Sequence, residues 1–206
     1  MAVITISRQL GAGETSIAPA VASRWGWDCI DSKLLDREIE ESGIKAAAHY
    51  DERVPGLVES WQHPLDAGKY FYALKRIAEE YAARGNVVIV GRGANFLLRG
   101  TDALHVRLVA DMPFRIRRVM EIRWINEQPA RDAIAQSDRD RLEFCKRHFK
   151  GDWNDPIHYD LSLNTAQVGV DAAAELIVKA AVLRWPDLSA VAAPALSAEP
   201  GQEETE

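Results

Sequence analysis

Only two cysteines, Cys29 and Cys145, occur in the chain, and they belong to no spaced set. A disulfide framework is therefore not expected, and reduced thiols fit a cytosolic home. Cys145 and His148 have the makings of half a zinc site, but no second pair of ligands follows at a suitable spacing. No run approaches the roughly twenty apolar residues that a membrane helix needs. The start "MAVITISRQ" has no basic segment leading into an apolar one. A cytoplasmic protein without a membrane span is the expectation. Basic residues are missing beyond Pro186, where the acids Asp187, Glu199, Glu203, Glu204 and Glu206 stand alone, so the formal charge of -6 leaves residues 1–185 at only -1. That acidic, low-complexity tail, 186–206, is expected to be disordered.

The chain as a whole has the balance of a soluble globular protein, 47% apolar and 27% charged. Its length suits one domain over residues 1–185. "AVITI" reads as a buried strand, followed by a glycine loop and an alanine-rich helix from about Thr15 to Arg24. "WDCID" is a second strand ending at Asp31, and "SKLLDREIEESG" a helix capped by Ser32 and stopped by Gly43. Residues 44 to 66 carry the breakers Pro55, Gly56 and Pro64, and a long helix follows from about Asp66 to Arg84. "NVVIVG" is the clearest strand, a continuous apolar run of the kind a sheet covered on both faces requires. "ALHVRLVA" is a fourth strand, "PFRIRRVMEIRWINE" a helix with Pro113 in its first turn, "YDLSLNT" a fifth strand, and a helix from Val170 to about Trp185 closes the fold. Such alternation implies a doubly wound α/β domain with a five-stranded parallel sheet flanked by helices and with ligands at the carboxyl ends of its strands.

The first loop poses the central question. The phosphate-loop pattern G-x-x-x-x-G-K-[ST] wraps phosphates in backbone N–H groups, reaches them with its lysine and holds magnesium with its hydroxyl. Laid on this chain it gives Arg8-Gln9-Leu10-Gly11-Ala12-Gly13-Glu14-Thr15, so Gly13 and Thr15 match while Arg8 replaces the first glycine and Glu14 the lysine. A carboxylate about 4 Å from a phosphate oxygen costs on the order of 4 kcal/mol at an effective dielectric of 20, so Glu14 must turn away or be neutralised. Arg8 is placed to restore the missing positive charge, and the amino terminus of the following helix still offers its N–H groups. A glycine turn that merely joins strand to helix is the plain alternative. A second rival takes "GAGETS" as a degenerate G-x-G-x-x-G with Asp31 as its ribose acid, although Ser7 to Leu10 separate strand from glycine.

Between Arg107 and Lys150 eleven Lys or Arg face seven Asp or Glu, a local excess that attracts an anion. Within this stretch Arg115 and Arg118 are three apart and share a helix face, and "SDRDR" sets Arg139 and Arg141 beside Asp138 and Asp140. Arginine's planar fork binds two phosphate oxygens at once. Taken alone, the same run is also a solvated, ion-paired helix. The excess is modest and lacks interleaved aromatics, which argues against nucleic acid.

These pieces, in this order, resemble the cytidylate kinases, and more closely a divergent cytidylate kinase-like family whose first loop reads like "ISRQLGAG" without the lysine. The resemblance runs from about residue 3 to 183. The kinase loop "GPSGAGKGT" lies on "RQLGAGETS", and "LDTGAIYR" lies on "IDSKLLDR", which puts Asp31 and Arg37 at shared positions. "DGRD" lies on "VGRG", retaining Arg92 but replacing the acids by Val90 and Gly93, so the acid contact to an acceptor base has no counterpart. "RAQRR", "DDRDRNR" and "LVLDST" lie on "RIRR", "QSDRDRLEF" and "YDLSLNT".

The resemblance implies a P-loop NTPase fold with an acceptor-binding insert at about 37–85 and an arginine-rich lid at about 125–156. It implies ATP- and magnesium-dependent phosphoryl transfer to a nucleoside monophosphate such as CMP or dCMP. Arg8, Gln9, Leu10, Gly11, Ala12, Gly13, Glu14, Thr15 and Ser16 then bind donor phosphates, with Thr15 or Ser16 on magnesium. Asp31, Arg37 and Arg92 form the acceptor site, and Arg115, Arg118, Arg139 and Arg141 offset charge in transit. A non-catalytic nucleotide-binding module and a kinase of another small acceptor stay open, the first because of Glu14, the second because of Gly93. Asp51 and Glu52 either reach the acceptor or the metal or cap a loop, the cap being the plainer reading. Trp25, Trp27, Trp124 and Trp153 could stack on a base, but buried packing is the expectation for each.

Overall fold

The computed structural model describes residues 1–13, 16–43 and 64–190, the side chains of 64–67 excepted. Expectations that fall on Glu14, Thr15, Asp51, Glu52 and the tail from 191 onward lie outside them. Five strands form one parallel sheet in the order β2-β3-β1-β4-β5: β1 Val3–Arg8, β2 Asp28–Ile30, β3 Val87–Val90, β4 Ala103–Val109 and β5 Leu161–Asn164. The helices are α1 Ile17–Ser23, α2 Ser32–Glu41, α3 Pro64–Arg84, α4 Ala94–Leu97, α5 Met112–Arg123, α6 Glu127–Phe149, α7 Thr165–Val168 and α8 Val170–Arg184. This is the α/β P-loop fold that the sequence implies. No helix of the described residues is long and apolar enough to cross a membrane.

Alternation along the strands divides the core. Ile4, Ile6, Val88, Val106 and Leu108 face α1 and α8, meeting Ile17, Val21 and Ile177. Val3, Ile89 and Ala103 face α2, α3 and α4, meeting Leu35, Ile39, Tyr70 and Leu74. Because both faces are covered, β3 is buried at all four positions, and each Val or Ile contributes on the order of 1.5–3 kcal/mol by leaving water. Leu35 and Ile39, four apart, aim the inner face of α2 into that second core.

Several boundaries differ from the sequence reading. The cap of α2 is Asp31, whose carboxylate accepts from the Leu34 N–H at 2.9 Å, and not Ser32, which is already helical. Helix α3 begins at Pro64, α4 is an unforeseen single turn, and most of the stretch expected as a lid is one continuous helix, α6, ended by Lys150 in the left-handed region. Disorder was expected from Pro186, but Pro186–Ala190 form a 3-10 turn that the Trp25 indole holds by donating to the Leu188 carbonyl at 3.2 Å.

Of the four tryptophans, Trp25 and Trp153 are buried and Trp27 stacks on Trp25 at 4.7 Å. Trp124 departs from the packing expectation. It closes α5 in the left-handed conformation and is 93% exposed, because a side chain projecting from a helix end at positive φ meets no neighbouring element.

Candidate active site

The carboxyl rim of the sheet assembles the candidate residues. Residues 8–13 leave β1 at its centre and fold back on themselves, with the Ala12 N–H donating to the Gln9 carbonyl at 3.1 Å. Gln9 fastens the turn to the exit of β4: its N–H donates to the Leu108 carbonyl at 3.0 Å, and its side-chain Oε1 accepts from the Ala110 N–H at 3.1 Å. Leu10 is buried against Ile116 and Val119 of α5 and Ala130 and Ile134 of α6. Gly11 and Gly13 hold φ of 83° and 85°, the left-handed region that an L side chain rarely enters. Ser16 then opens α1; its exposed hydroxyl makes no capping bond.

One strand over, the exit of β3 is tied to the loop's root by the Gly91 N–H, which donates to the Ile6 carbonyl at 3.0 Å. Gly91, Arg92 and Gly93 all have positive φ, 79°, 51° and 68°. The turn delivers Arg92 to Asp36 of α2 as a bidentate pair, Nε to Oδ1 at 3.1 Å and Nη2 to Oδ2, while the Tyr70 hydroxyl of α3 donates to Oδ1 at 2.8 Å. Burial raises the Tyr70 pKa well above the phenol range, so that hydroxyl stays a donor. Arg37, the next residue on α2, is exposed, and Asp31 is taken up by its capping bond. Arg8, Cys29 and Asp31 share this edge of the rim: burial and then the Asp31 charge raise the Cys29 pKa, and the Arg8 charge opposes them.

The arginines of α5 and α6 divide into two kinds. Arg115 is buried; it donates from Nε to the Leu10 carbonyl at 2.7 Å and from both Nη atoms to Asp138 of α6 at 2.8 and 2.7 Å. Its fork therefore serves the loop's backbone and not an open cleft. Arg118 pairs with Glu121 at 2.9 Å, Arg139 is exposed and donates to Gln136 at 2.7 Å, and Arg141 donates to the Ser137 hydroxyl. Burial raises the pKa of Asp140, which accepts from Gln136 at 2.7 Å.

The sequence reading missed Arg107, a buried residue of β4 in register with Ser7 of β1. Its guanidinium donates to the Trp153 carbonyl, to the Tyr159 hydroxyl at 3.1 Å and to Asn154 Oδ1 at 2.8 Å, and lies 4.2 Å from the Trp153 ring centroid. The Trp153 indole in turn donates to Ser7 Oγ at 2.8 Å. Residues 152–156, "DWNDP", are thus anchored next to the loop's root. Polar residues two apart, His105 and Arg107, in an otherwise apolar strand were the available signal.

Residues 3–167 match the profile of the cytidylate kinase-like family. The chain belongs to that family. A cytidylate kinase of Thermococcus kodakarensis is 31% identical over 182 residues, 87% of each chain. Among solved structures, an uncharacterized protein from Eubacterium ventriosum superposes with a TM-score of 0.70 at 20% identity, covering 87% of this chain and 98% of that one. A shikimate kinase from Bacteroides thetaiotaomicron superposes at 0.53 with 18% identity, covering 87% and 97%, which is a likeness of fold.

In this cytidylate kinase-like chain Gly93 packs against the end of α6. A Cβ on Gly93 would lie 2.4 Å from the Phe149 ring, so a side chain there requires that ring to shift. That ring belongs to an aromatic cluster with Phe71, Phe96 and Phe144 that joins α3 and α4 to α6. His148 stacks on Phe71 at 3.8 Å, and burial, then the charges of Arg147 and Lys150, lower its pKa from 6.5. Its neutral form is the one the fold favours. Stability from this group is complete above the unfolded value of 6.5 and is lost as pH falls below it toward the depressed folded value. Urea midpoints at pH 7.5 and 5.5 should therefore fall more for the wild type than for His148→Leu; equal losses would refute the assignment.

Proposed function

We propose that the chain transfers the γ-phosphoryl group of ATP to a nucleoside monophosphate, with CMP or dCMP as acceptor. The observation that carries this reading is the pairing of donor loop and acceptor fork on adjacent parallel strands, the glycine turn after β1 and Arg92 after β3, held together by the Gly91 to Ile6 bond. Phosphoryl transfer demands little covalent chemistry from a protein; it demands two substrates in line and their charge offset.

The loop's amides and Arg8 take the donor phosphates. Arg92, with Arg37 and Asp31 on its flank, takes the acceptor phosphate. Arg118, Arg139 and Arg141 offset charge in transit from the lid side, while Arg115 holds the loop. Among the described residues no three His, Cys, Asp or Glu side chains gather as a metal site. A magnesium ion that travels with nucleotide phosphates needs only one or two protein oxygens, and the uncommitted hydroxyl of Ser16, with Thr15 beside it in sequence, fits that need. When bound, magnesium supplies charge neutralisation across the phosphates. Relatives named cytidylate kinases, such as the one from T. kodakarensis, favour a cytidine acceptor.

A second reading, a kinase of another small acceptor, is favoured by Gly93, where Phe149 fills the space of the acid that cytidylate kinases use. One assay tests both. ATP and magnesium are offered with a panel of ribo- and deoxynucleoside monophosphates, and a diphosphate product is expected from CMP or dCMP. ATP binding with no product from any nucleotide would overturn the first reading and leave the second and the non-catalytic module, which turnover of ATP with another acceptor would separate.

A further inference from the structure

Leu10 and Gly11 share one peptide unit, and in a planar trans peptide the carbonyl of the first residue and the N–H of the second point in opposite directions. Arg115 Nε holds the Leu10 carbonyl at 2.7 Å, on the α5 side of the loop. The Gly11 N–H is thereby turned to the opposite side. Glycine adopts either orientation of such a peptide at little cost, so the sequence of the loop does not itself choose between them. The choice comes from Arg115. That side chain is in turn fixed at both Nη atoms by Asp138, and it is 3% exposed where Asp138 is 30% exposed. Bidentate, charge-assisted pairs of this kind are the geometrically demanding ones.

We propose that Arg115 and Asp138 are a positioning pair that selects the anion-accepting orientation of the Leu10–Gly11 peptide and makes the shape of the phosphate loop depend on the position of α6. In a loop whose lysine is replaced by Glu14, the backbone N–H groups carry a larger share of phosphate binding. A peptide flipped the wrong way would present a carbonyl to the phosphates. The "SDRDR" segment then acts in two ways: Asp138 works inward on the loop, through Arg115, while on the same stretch of helix Arg139 is exposed beside Gln136 and Arg141 is half-buried beside Ser137. Only the consequence for ATP rests on the kinase reading above; the hold on the loop does not.

The test uses the full chain and the variants Asp138→Asn, Asp138→Glu and Arg115→Lys. Amide hydrogen exchange is followed without nucleotide, and Mg·ATP binding is followed by calorimetry. The Gln9 and Ala12 amides are hydrogen-bonded within or beside the turn, so their exchange reports the loop. Asp138→Asn should speed exchange across residues 9–13 by about tenfold, the effect of losing one charge-assisted bond, and leave the amides of β1 and β4 unchanged. Asp138→Glu should recover most of the protection. Arg115→Lys should not, because one ammonium cannot reach both a carbonyl and a carboxylate in the same geometry. The Kd for Mg·ATP should rise in parallel with exchange. Exchange that stays at the wild-type rate in Asp138→Asn, or rises evenly over the whole domain, overturns the proposal. A wild type that binds no ATP but shows the local exchange pattern overturns the nucleotide reading and upholds the pair.

Discussion

Gly11→Ala is expected to destroy ATP binding and to cost more stability than any other single methyl added to a glycine of the loop. The new Cβ would lie 2.7 Å from the Arg115 carbonyl oxygen, 3.0 Å from its Cα and 3.1 Å from its Cβ. The first two are backbone atoms of α5 and cannot swing aside, so either the loop or the helix must move. The left-handed φ of 83° adds its own cost, about 1–2 kcal/mol for a non-glycine residue, and overpacking adds about 1–3 kcal/mol more. Gly13→Ala meets mainly the flexible tip of Ile17 at 2.9 Å and should lose less. Gly26, at φ 67° with nothing within 4 Å, isolates the backbone part. Gly26→Ala should be destabilised by that part alone and bind ATP as the wild type does. A displacement of the loop on the order of 1 Å is enough for a loss of about 100-fold, so calorimetry on the three variants should show binding lost only at the loop. ATP affinity retained in Gly11→Ala would break the link between this turn and the nucleotide.

The reading of Gly11 shows where sequence suffices and where it does not. The three inner strands, β1, β3 and β4, were legible because short, mostly apolar runs rich in Val and Ile suit a sheet covered on both faces. The edge strands β2 and β5, which carry polar residues, were legible from their place in the alternation. The order of elements then placed the loop and Arg92 on the same rim. Asp36 was not legible. In "LLDREIE" it reads as one more acid on a solvated helix, and only the adjacency of β2 and β3 brings α2 beside the Gly91–Gly93 turn. Arg115 was seen but given an outward task, since periodicity says which residues share a face and not what that face meets. The first turn of α5 sits on the loop, so the inward arginine became a strut. Helix α6 was legible only as a charge run, because just Ala130, Ile134, Phe144 and Cys145 of its length are buried.

Arg92→Ala should raise the acceptor KM by about 100-fold, the value of two charge-assisted bonds to one phosphate, with the Kd for ATP unchanged. The same substitution should also weaken the fold, for a reason independent of substrate. Arg92 and Asp36 are 9% and 14% exposed, and Asp36 would keep Tyr70 as its hydrogen-bond donor but lose its counter-charge. Removing one partner of such a pair costs about 3–5 kcal/mol, because the remaining charge stays in poor solvent. Binding and stability can be separated. At φ 51° Arg92 already sits in the region that favours glycine, so Arg92→Gly should be about 1–2 kcal/mol more stable than Arg92→Ala by urea unfolding, yet carry the same acceptor defect. Asp36→Asn tests the other half: it keeps the fork in place by a neutral acceptor, so its KM should rise less than that of either Arg92 variant. If Arg92→Gly and Arg92→Ala fold, bind ATP and use the acceptor with wild-type KM, Arg92 is a structural arginine of the β3 exit, and the acceptor phosphate must be held from α2 or from α6.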